Sequence, residues 1–345
     1  MFKYTLDNKR YHTLNYYYKN KYGTKVFKLS LNAGFTCPNL DGTKGYGGCI
    51  YCSKTGSGEF GGNILDSLTK QVEDMKKIVN KKNIPCKYIG YFQARTNTYA
   101  SVDILRKKYE EVLSCKDIIG LNIATRCDAI NDECLEYLKE LNKKTDLTIE
   151  LGLQTIHENT SNLINRCHTL IEFETMIKKL RKYNINIVVH IINGLPYETE
   201  EMMLETAKYL NKLDIQGIKI HMLHIIKDTK MAELYNKEKF HILTKEEYIN
   251  IVIKQLELLN PKIIINRITS DPDKENLIEP IWLIQKCQLL NDIDKEMKKR
   301  NTYQGIHYWY VFYLFILAIT YLFSSLNSSF FTSFINIKEK INITI

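Results

Sequence analysis

The stretch Cys37-Pro-Asn-Leu-Asp-Gly-Thr-Lys-Gly-Tyr-Gly-Gly-Cys49-Ile-Tyr-Cys52 places three cysteines within sixteen residues, in the spacing C-x11-C-x2-C. Four glycines lie between the first two cysteines, and glycine lets the backbone turn sharply and approach a bound group closely. The two residues between Cys49 and Cys52 let both sulfurs face one metal centre. The stretch therefore predicts a loop that wraps a compact, metal-containing group.

Two kinds of metal group are compatible with these thiols. A structural zinc site is closed by four ligands, usually from two Cys-x2-Cys pairs. This chain has one such pair plus Cys37, so a zinc site needs a distant ligand such as His12 or Cys86. Iron–sulfur clusters are held by thiolates, usually four. Three thiolates would leave one iron of a 4Fe-4S cluster free to bind a substrate or cofactor.

Composition limits the class of protein. A chain of 345 residues with 44% hydrophobic residues has room for one large α/β domain or two smaller ones. The net charge of +9 suggests an anionic partner without proving one. The odd count of nine cysteines, six of them scattered, favours a reducing compartment over a disulfide framework. No apolar signal segment is evident in the first ten residues, so we expect a cytoplasmic protein.

The first 30 residues are basic and rich in tyrosine. They contain one acid, Asp7, six tyrosines and seven basic residues, namely Lys3, Lys9, Arg10, Lys19, Lys21, Lys25 and Lys28. Basic side chains suit phosphates, and tyrosine rings can stack on bases. The segment is therefore either a nucleic-acid contact or a solvated basic helix whose tyrosines pack on the core.

Strand and helix patterns alternate through the following part of the chain. Apolar runs predict strands at 26–31, 88–92, 118–124, 147–153, 185–192 and 215–222. Helical spacing predicts helices at 65–82, 102–113, 132–141, 170–183 and 199–213. Such alternation implies a parallel sheet. Six units are too few for a full eight-stranded barrel and predict a partial (βα)6 TIM-like barrel, with a doubly wound sheet as the alternative.

In parallel α/β folds the chemistry lies at the carboxyl ends of the strands. The cysteine loop follows the first strand. The residues at the other strand ends are mostly polar: Gln93, Arg95, Thr96, Asn97, Thr125, Arg126, Asp128, Glu150, Gln154, Arg166, Asn193, Gly194, Leu195, Pro196, His221 and His224. Because a carboxylate in an apolar strand is costly to bury alone, we expect Glu150 to meet a ligand or an arginine.

We expect four segments along the chain. They are a basic segment at 1–25, a barrel core at 26–240, an α/β extension at 241–305 with a further strand at 263–268 and helices at 244–259 and 281–299, and a hydrophobic tail at 306–345. No Lys, Arg, Asp or Glu occurs from 306 to 337, and 308–326 is long enough to span a bilayer. The tail is therefore either a C-terminal membrane anchor or an extension of non-native origin.

Several motifs occur in order from about residue 10 to 305: KLSLNAGFTCPNLDGTKGYGGCIYC, YFQARTNTYA, ATRCD, ELGLQTIHENTSNLINR, GLP and GIKIHMLHI. Together they resemble the radical S-adenosylmethionine (SAM) superfamily. Within it they are similar to the YhcC-like and YtqA-like family, in the branch of the elongator catalytic subunit. Two features depart from the pattern. The first cysteine gap is longer than the common C-x3-C-x2-C, and Cys127 stands where the family expects proline.

The resemblance implies one 4Fe-4S cluster on Cys37, Cys49 and Cys52, with SAM bound to the open iron. One electron from an external reductant of the flavodoxin or ferredoxin type would then release a 5′-deoxyadenosyl radical that abstracts hydrogen from the substrate. The implied cofactor contacts are Tyr51 beside adenine, Glu150, Gln154 and Arg166 at the ribose and methionine groups, the backbone of Gly194, Pro196 and His221 at adenine, and additionally Gln93 and Arg126.

The resemblance also suggests a substrate. Gram-positive relatives resemble an enzyme that converts a carboxymethylaminomethyl group on the tRNA wobble uridine to aminomethyl. The basic N-terminus is compatible with tRNA but not specific for it. Three alternatives remain open: a radical SAM enzyme with a small-molecule or peptide substrate, a non-catalytic metal-binding RNA module, and a membrane-anchored scaffold.

Overall fold

The computed structural model describes residues 2, 4–5, 9–56 and 58–308 of the chain. The predicted hydrophobic tail from 309 onward therefore lies outside the described residues. Nine strands are present within them: β1 Lys25–Leu31, β2 Cys86–Phe92, β3 Ile118–Thr125, β4 Asp146–Gln154, β5 Asn186–Asn193, β6 Gly217–Met222, β7 Ile225–Ile226, β8 Ile264–Arg267 and β9 Leu277–Glu279.

Ten α-helices alternate with these strands in the described part of the chain. They are α1 Leu14–Tyr22, α2 Leu68–Val79, α3 Val102–Leu113, α4 Asp132–Lys144, α5 Glu158–Leu163, α6 Leu170–Lys182, α7 Glu200–Leu210, α8 Lys230–Lys237, α9 Lys245–Leu258 and α10 Lys286–Lys299. Side-chain caps fix where several of them begin. Thr169 and Thr244 each form a capping box with the glutamate three residues later, which satisfies backbone N–H groups at the start of α6 and α9.

One parallel sheet organises the molecule. Its strand order is β1-β2-β3-β4-β5-β6-β8, with neighbours in sequence lying side by side up to β6. A doubly wound sheet would reverse its strand order at a switch point, so this alternative is wrong. The predicted partial barrel is confirmed. The strand predicted at 263–268 becomes β8, the seventh strand of the same sheet.

The core lies between this sheet and its surrounding helices. Strand residues such as Leu29, Ile123, Ile149 and Ile218 are fully buried, as expected for a parallel sheet covered by helices. The structure differs from the sequence-based prediction at a few elements. Residues 281–299 form a short 3-10 turn at Ile281–Ile284 and then α10, while α5, α8 and the small antiparallel pair β7–β9 were not predicted.

The amino-terminal end of the barrel is closed by both ends of the described chain. Thr13 pairs in parallel with Ile265 of β8, and α1 contacts both edge strands, β1 and β8. Gln304 is fully buried beneath the sheet. Its side chain accepts a hydrogen bond from the His12 N–H at 2.8 Å and donates to the carbonyls of Asn260 and Ile263. The described part of the basic segment therefore packs at the amino-terminal end of the barrel, away from the carboxyl ends of the strands.

Within the described residues, no helix combines the length and the apolar character needed to cross a membrane.

Candidate active site

A cavity of about 730 Å³ opens at the carboxyl ends of the barrel strands. Seven lysine and arginine side chains and four carboxylates line it, so positive charge is in excess there. Of the residues predicted from the strand ends, the cavity wall includes Gln93, Arg95, Thr96, Thr125, Arg126, Glu150, Gln154, Arg166, His221 and His224. A cavity of this volume is large enough for a cofactor-sized molecule.

The three cysteines of the predicted loop line this cavity as free thiols. The loop is built from tight turns. The Leu40 N–H donates to the carbonyl of Cys37 at 2.9 Å, and the Cys52 N–H donates to that of Cys49 at 3.0 Å. Gly48 has a φ of +76°, a conformation that glycine adopts without strain. The sequence therefore brings Cys37, Cys49 and Cys52 to one cavity wall, as predicted.

Two asparagines that the sequence-based prediction missed fix this loop in place. The Asn165 side chain, directly after α5, donates to the Gly48 carbonyl at 2.8 Å. The buried Asn39 side chain donates to the Asn165 carbonyl at 2.6 Å and lies 3.6 Å from the Cys49 sulfur. On the other side, the Ile50 carbonyl accepts a hydrogen bond from Met231 in α8. Contacts from segments distant in the sequence, at Asn165 and in α8, therefore hold the loop that carries the thiols.

The surroundings of the thiols favour the thiolate form of one of them. A hydrogen bond from Cys52, together with the positive charge of Arg126, lowers the pKa of Cys49 to about 6. Arg126 is held by two hydrogen bonds to Asp128, at 2.9 and 2.8 Å. Because thiolates are the form that binds metals, this arrangement suits a metal centre.

Neither distant ligand considered for a zinc site is near the loop. Cys86 pairs with Lys25 at the start of the strands, whereas Cys37 follows the carboxyl end of β1. His12 lies at the same amino-terminal end, where its ring contacts the Lys262 carbonyl. The structure therefore excludes a zinc site completed by either residue. Among the described residues, no three Cys, His, Asp or Glu side chains are grouped so that they could hold a metal ion.

Tyr51 and Gln154 form a pair on the cavity wall. The Gln154 side-chain amide donates to the Tyr51 hydroxyl at 2.9 Å, while its buried Oε1 has no bonding partner among the described groups. Gln154 has a φ of +64°, an uncommon conformation for a residue with a side chain. A buried acceptor without a partner leaves bonding capacity for a ligand at this position.

Glu150 meets Asn122, two lysines and a histidine inside the barrel, and an arginine, one of the two partners expected from the sequence, is not among its described contacts. Its fully buried carboxylate contacts Lys219 at 2.5 Å, Lys28 at 3.0 Å and His190 at 2.8 Å. Burial alone would raise the pKa of Glu150, but the charges of Lys219 and Lys28 and the hydrogen bond with His190 hold it well below its usual value. These two lysines and His190 were not predicted as partners, although each also interrupts an apolar strand.

Three other predicted cofactor residues have protein partners or lie outside the cavity lining. Arg166 lies at the cavity wall but is 1% exposed and donates to the carbonyls of Leu153, Thr155 and His168. Gly194 and Pro196 are buried and do not belong to the described lining of the cavity. Through these hydrogen bonds Arg166 stabilises the backbone at the end of β4.

Cys127 does not add a thiol to the cavity lining. It is 2% exposed and packs in the hydrophobic core, and burial raises its pKa to about 12. A different cysteine, Cys167, is exposed beside the loop. Its sulfur would lie 2.8 Å from a Cβ added at Gly45, so the two chain segments approach closely there.

Comparison with known proteins identifies the fold and the family. A solved structure of archaeal Methanocaldococcus infernus Elp3 lacking its N-terminus superimposes with a TM-score of 0.60 at 16% identity. The match covers 81% of this chain and 64% of that chain, so this chain spans under two thirds of the solved one. A tRNA uridine(34) acetyltransferase of Methanocaldococcus infernus is 22% identical over 61% of this chain and 42% of its own length.

Two further relatives match almost the whole described chain. The uncharacterised protein YtqA of Bacillus subtilis is 49% identical, covering 88% of this chain and 94% of its own length. YhcC of Escherichia coli is 31% identical, covering 81% and 90%. The model of the radical SAM superfamily matches residues 45–210, and that of the radical SAM C-terminal domain matches residues 215–299. The chain therefore belongs to the radical SAM superfamily, and within it to the YhcC/YtqA-like family related to the elongator protein Elp3.

Proposed function

We propose that this radical SAM enzyme acts on the wobble uridine of tRNA and converts a carboxymethylaminomethyl side chain to aminomethyl. The observation that carries the radical chemistry is the arrangement of three free thiols on the wall of one cofactor-sized cavity. The tRNA substrate is supported by the distant likeness to a tRNA uridine(34) acetyltransferase and by the excess of basic side chains around the cavity.

Cys37, Cys49 and Cys52 would hold one 4Fe-4S cluster, because three thiols line the wall of one cavity and thiolates are the ligands of such clusters, whose separate irons do not require the thiols to meet at a single metal ion. When bound, the cluster supplies the electron that splits SAM into methionine and a 5′-deoxyadenosyl radical. The chain's own residues bind and orient the reactants and keep water out.

Among the proposed SAM contacts, Tyr51 and Gln154 have the strongest support, because their pair lines the cavity and leaves one acceptor free. The proposal retains Gln93, Arg126, Glu150 and Arg166 on the cavity lining, and the backbone of Gly194, Pro196 and His221 at adenine. An external one-electron reductant of the flavodoxin or ferredoxin type completes the scheme, in the cytoplasm.

The N-terminal basic segment gives no support to the tRNA proposal. Tyr18 and Tyr11 are each 6% exposed and pack on the core. The helix α1 lies under the amino-terminal end of the barrel, opposite the cavity. Contacts with tRNA phosphates would therefore come from lysines at the cavity mouth such as Lys54 and Lys230.

The test is anaerobic reconstitution with iron and sulfide, followed by SAM, dithionite and tRNA that carries carboxymethylaminomethyluridine. Mass spectrometry then measures 5′-deoxyadenosine and the modified nucleosides, with Cys37→Ala beside the unmodified sequence. We expect the wild type alone to form 5′-deoxyadenosine and aminomethyluridine. Formation of 5′-deoxyadenosine without any change in the tRNA would indicate a radical SAM enzyme with a different substrate. If the protein is isolated with zinc and cleaves no SAM, the alternative of a non-catalytic metal-binding RNA module would be favoured.

A further inference from the structure

The interior of this barrel carries charged side chains at positions that usually pack a core. Barrel interiors of this type are commonly filled by branched aliphatic residues. Here β1, β4, β5 and β6 direct Lys28, Glu150, His190 and Lys219 toward one another, and their polar atoms meet within 2.5 to 3.0 Å. Such a buried network is expensive unless it serves a ligand or fixes a unique structure.

Positive charge is in excess in this network and beside it. The Glu150 carboxylate faces both Lys28 and Lys219. At the end of β8, Asp271 faces both Arg267, at 2.9 Å, and Lys286, at 2.6 Å. Each carboxylate thus faces two basic side chains, of which Lys219 has its pKa lowered to about 7 by burial and by the positive charges of Lys28 and Arg267. Because an uncompensated charge is costly in a partly desolvated site, an anionic ligand would stabilise this part of the cavity.

Two histidines beside these cations have bonding capacity to spare. Nε2 of His221 and Nδ1 of His224 are buried and have no hydrogen-bond partner among the described groups. Both rings line the cavity, as does Arg267. Burial and the neighbouring positive charges hold the pKa of His221 well below its usual value. A neutral imidazole can donate one N–H, so the His221 ring could bind an acceptor oxygen, and the His224 ring could do so once its N–H turns from the Met222 backbone to the ligand.

We propose that Arg267, His221 and His224 form the subsite that binds the carboxylate of the substrate side chain, with Lys219 beneath them. This assignment rests on the proposed function, because the carboxymethylaminomethyl group ends in a carboxylate and the aminomethyl product does not. The guanidinium fork of Arg267 matches a carboxylate with two parallel hydrogen bonds. The subsite would therefore favour the substrate over the product and position the carbons next to the carboxylate.

The test compares two synthetic anticodon stem–loops that differ at one group. One carries carboxymethylaminomethyluridine at the wobble position, and the other carries its neutral carboxamide. Their affinities for the reconstituted protein are measured by titration calorimetry with SAM present and no reductant, so that no turnover occurs. We expect the wild type to bind the acid about 10- to 100-fold more tightly, the size of one or two charge-assisted hydrogen bonds.

Three variants locate this preference. Arg267→Gln should reduce the acid-over-amide ratio to near one, and Arg267→Lys should keep part of it. Lys54→Gln is the matched control, because Lys54 also lines the cavity but its side chain is 83% exposed. It should weaken both RNAs equally and leave the ratio unchanged. The SAM affinity of each variant is measured in the same way and should stay at the wild-type value.

The possible results separate the inference from the function on which it rests. Equal binding of acid and amide by the wild type overturns the carboxylate subsite and leaves the tRNA substrate standing. Loss of SAM affinity in Arg267→Gln assigns the arginine to the cofactor and overturns the inference as well. If the wild type binds neither RNA, both the subsite and the proposed substrate fail.

Discussion

The two ends of the barrel differ in how fully their buried polar side chains are hydrogen-bonded. At the amino-terminal end, Asp146 accepts hydrogen bonds from Lys21 and Tyr22 of α1, and Gln304 uses both ends of its side-chain amide on backbone groups. At the carboxyl end, Gln154, His221 and His224 keep buried polar atoms that no described group bonds. At the amino-terminal end, protein groups satisfy the hydrogen bonds of these side chains. At the carboxyl end, the three side chains can still form hydrogen bonds with a ligand. This difference locates the reactive end without reference to any relative.

The largest expected effect comes from removing the thiols at the reactive end. Cys37→Ala, Cys49→Ala and Cys52→Ala should each abolish stable cluster binding and 5′-deoxyadenosine formation, because each removes one of three proposed ligands. Iron and sulfide content and visible absorbance after reconstitution measure this. Cys167→Ala is the matched control, since Cys167 is exposed beside the loop. A Cys167→Ala protein that also loses its cluster would show that four thiols are needed.

The second effect concerns stability inside the barrel. Among the described residues Glu150 is the salt-bridge partner of both the half-buried Lys28 and the buried Lys219, so for Glu150→Ala we expect a loss of about 3–5 kcal/mol in the free energy of unfolding. Urea unfolding of the protein without cluster measures it. The double variant Glu150→Gln with Lys219→Met removes the carboxylate and the more deeply buried of the two lysines, leaving Lys28, and should recover part of the loss. An equal or larger loss in the double variant would contradict a pairwise electrostatic origin.

The third effect is the pH dependence of the same network. The folded-state pKa of Glu150 is lower than the unfolded one, so its ionised form stabilises the fold above the unfolded pKa of about 4.3. This contribution is lost as the pH falls through the folded pKa. We therefore expect the wild type to lose stability toward acid more steeply than Glu150→Gln. Unfolding free energies measured from pH 7 downward test this, and parallel curves would contradict it.

The smallest expected effect is a change in stability at the amino-terminal end of the barrel. Lys21→Gln removes an ion pair with Asp146 whose lysine side chain is 35% exposed, so we expect at most about 0.5 kcal/mol of destabilisation. Cluster content and 5′-deoxyadenosine formation should match the wild type, because α1 does not line the cavity. Thermal unfolding and the activity assay of the same sample check both statements. Loss of activity without loss of stability would give α1 a direct role.

The sequence predicted the fold well because its signals are local. Apolar strands and amphipathic helices repeat with a regular period, and a parallel sheet follows from that alternation. The cysteine loop was also evident, since its spacing lies within sixteen residues. The bonds that hold the loop were not, because Asn165 reaches Gly48 across more than a hundred residues of sequence.

The partners of Glu150 could not be predicted in the same way. Which interior side chains come into contact depends on the register of the strands and on the curvature of the sheet. Neither can be deduced from the sequence of a single strand. Lys28, His190 and Lys219 each carry the same signal as Glu150, a polar residue inside an apolar run. Reading these four positions together as interior residues of neighbouring strands would have indicated a polar barrel interior.

The way the last described residues pack at the amino-terminal end of the barrel, beside the buried Gln304, has a practical consequence for handling the protein. The last described residues, around Tyr308, pack against the end of α9 and Asn260, on the side away from the cysteine loop. If the chain is ended after Tyr308, a purification tag, a fluorophore or an immobilising linker joined there would attach on the side of the barrel away from the cysteine loop. The cavity mouth would remain open to a ligand as large as a folded RNA, and single-molecule binding could be recorded on such a surface.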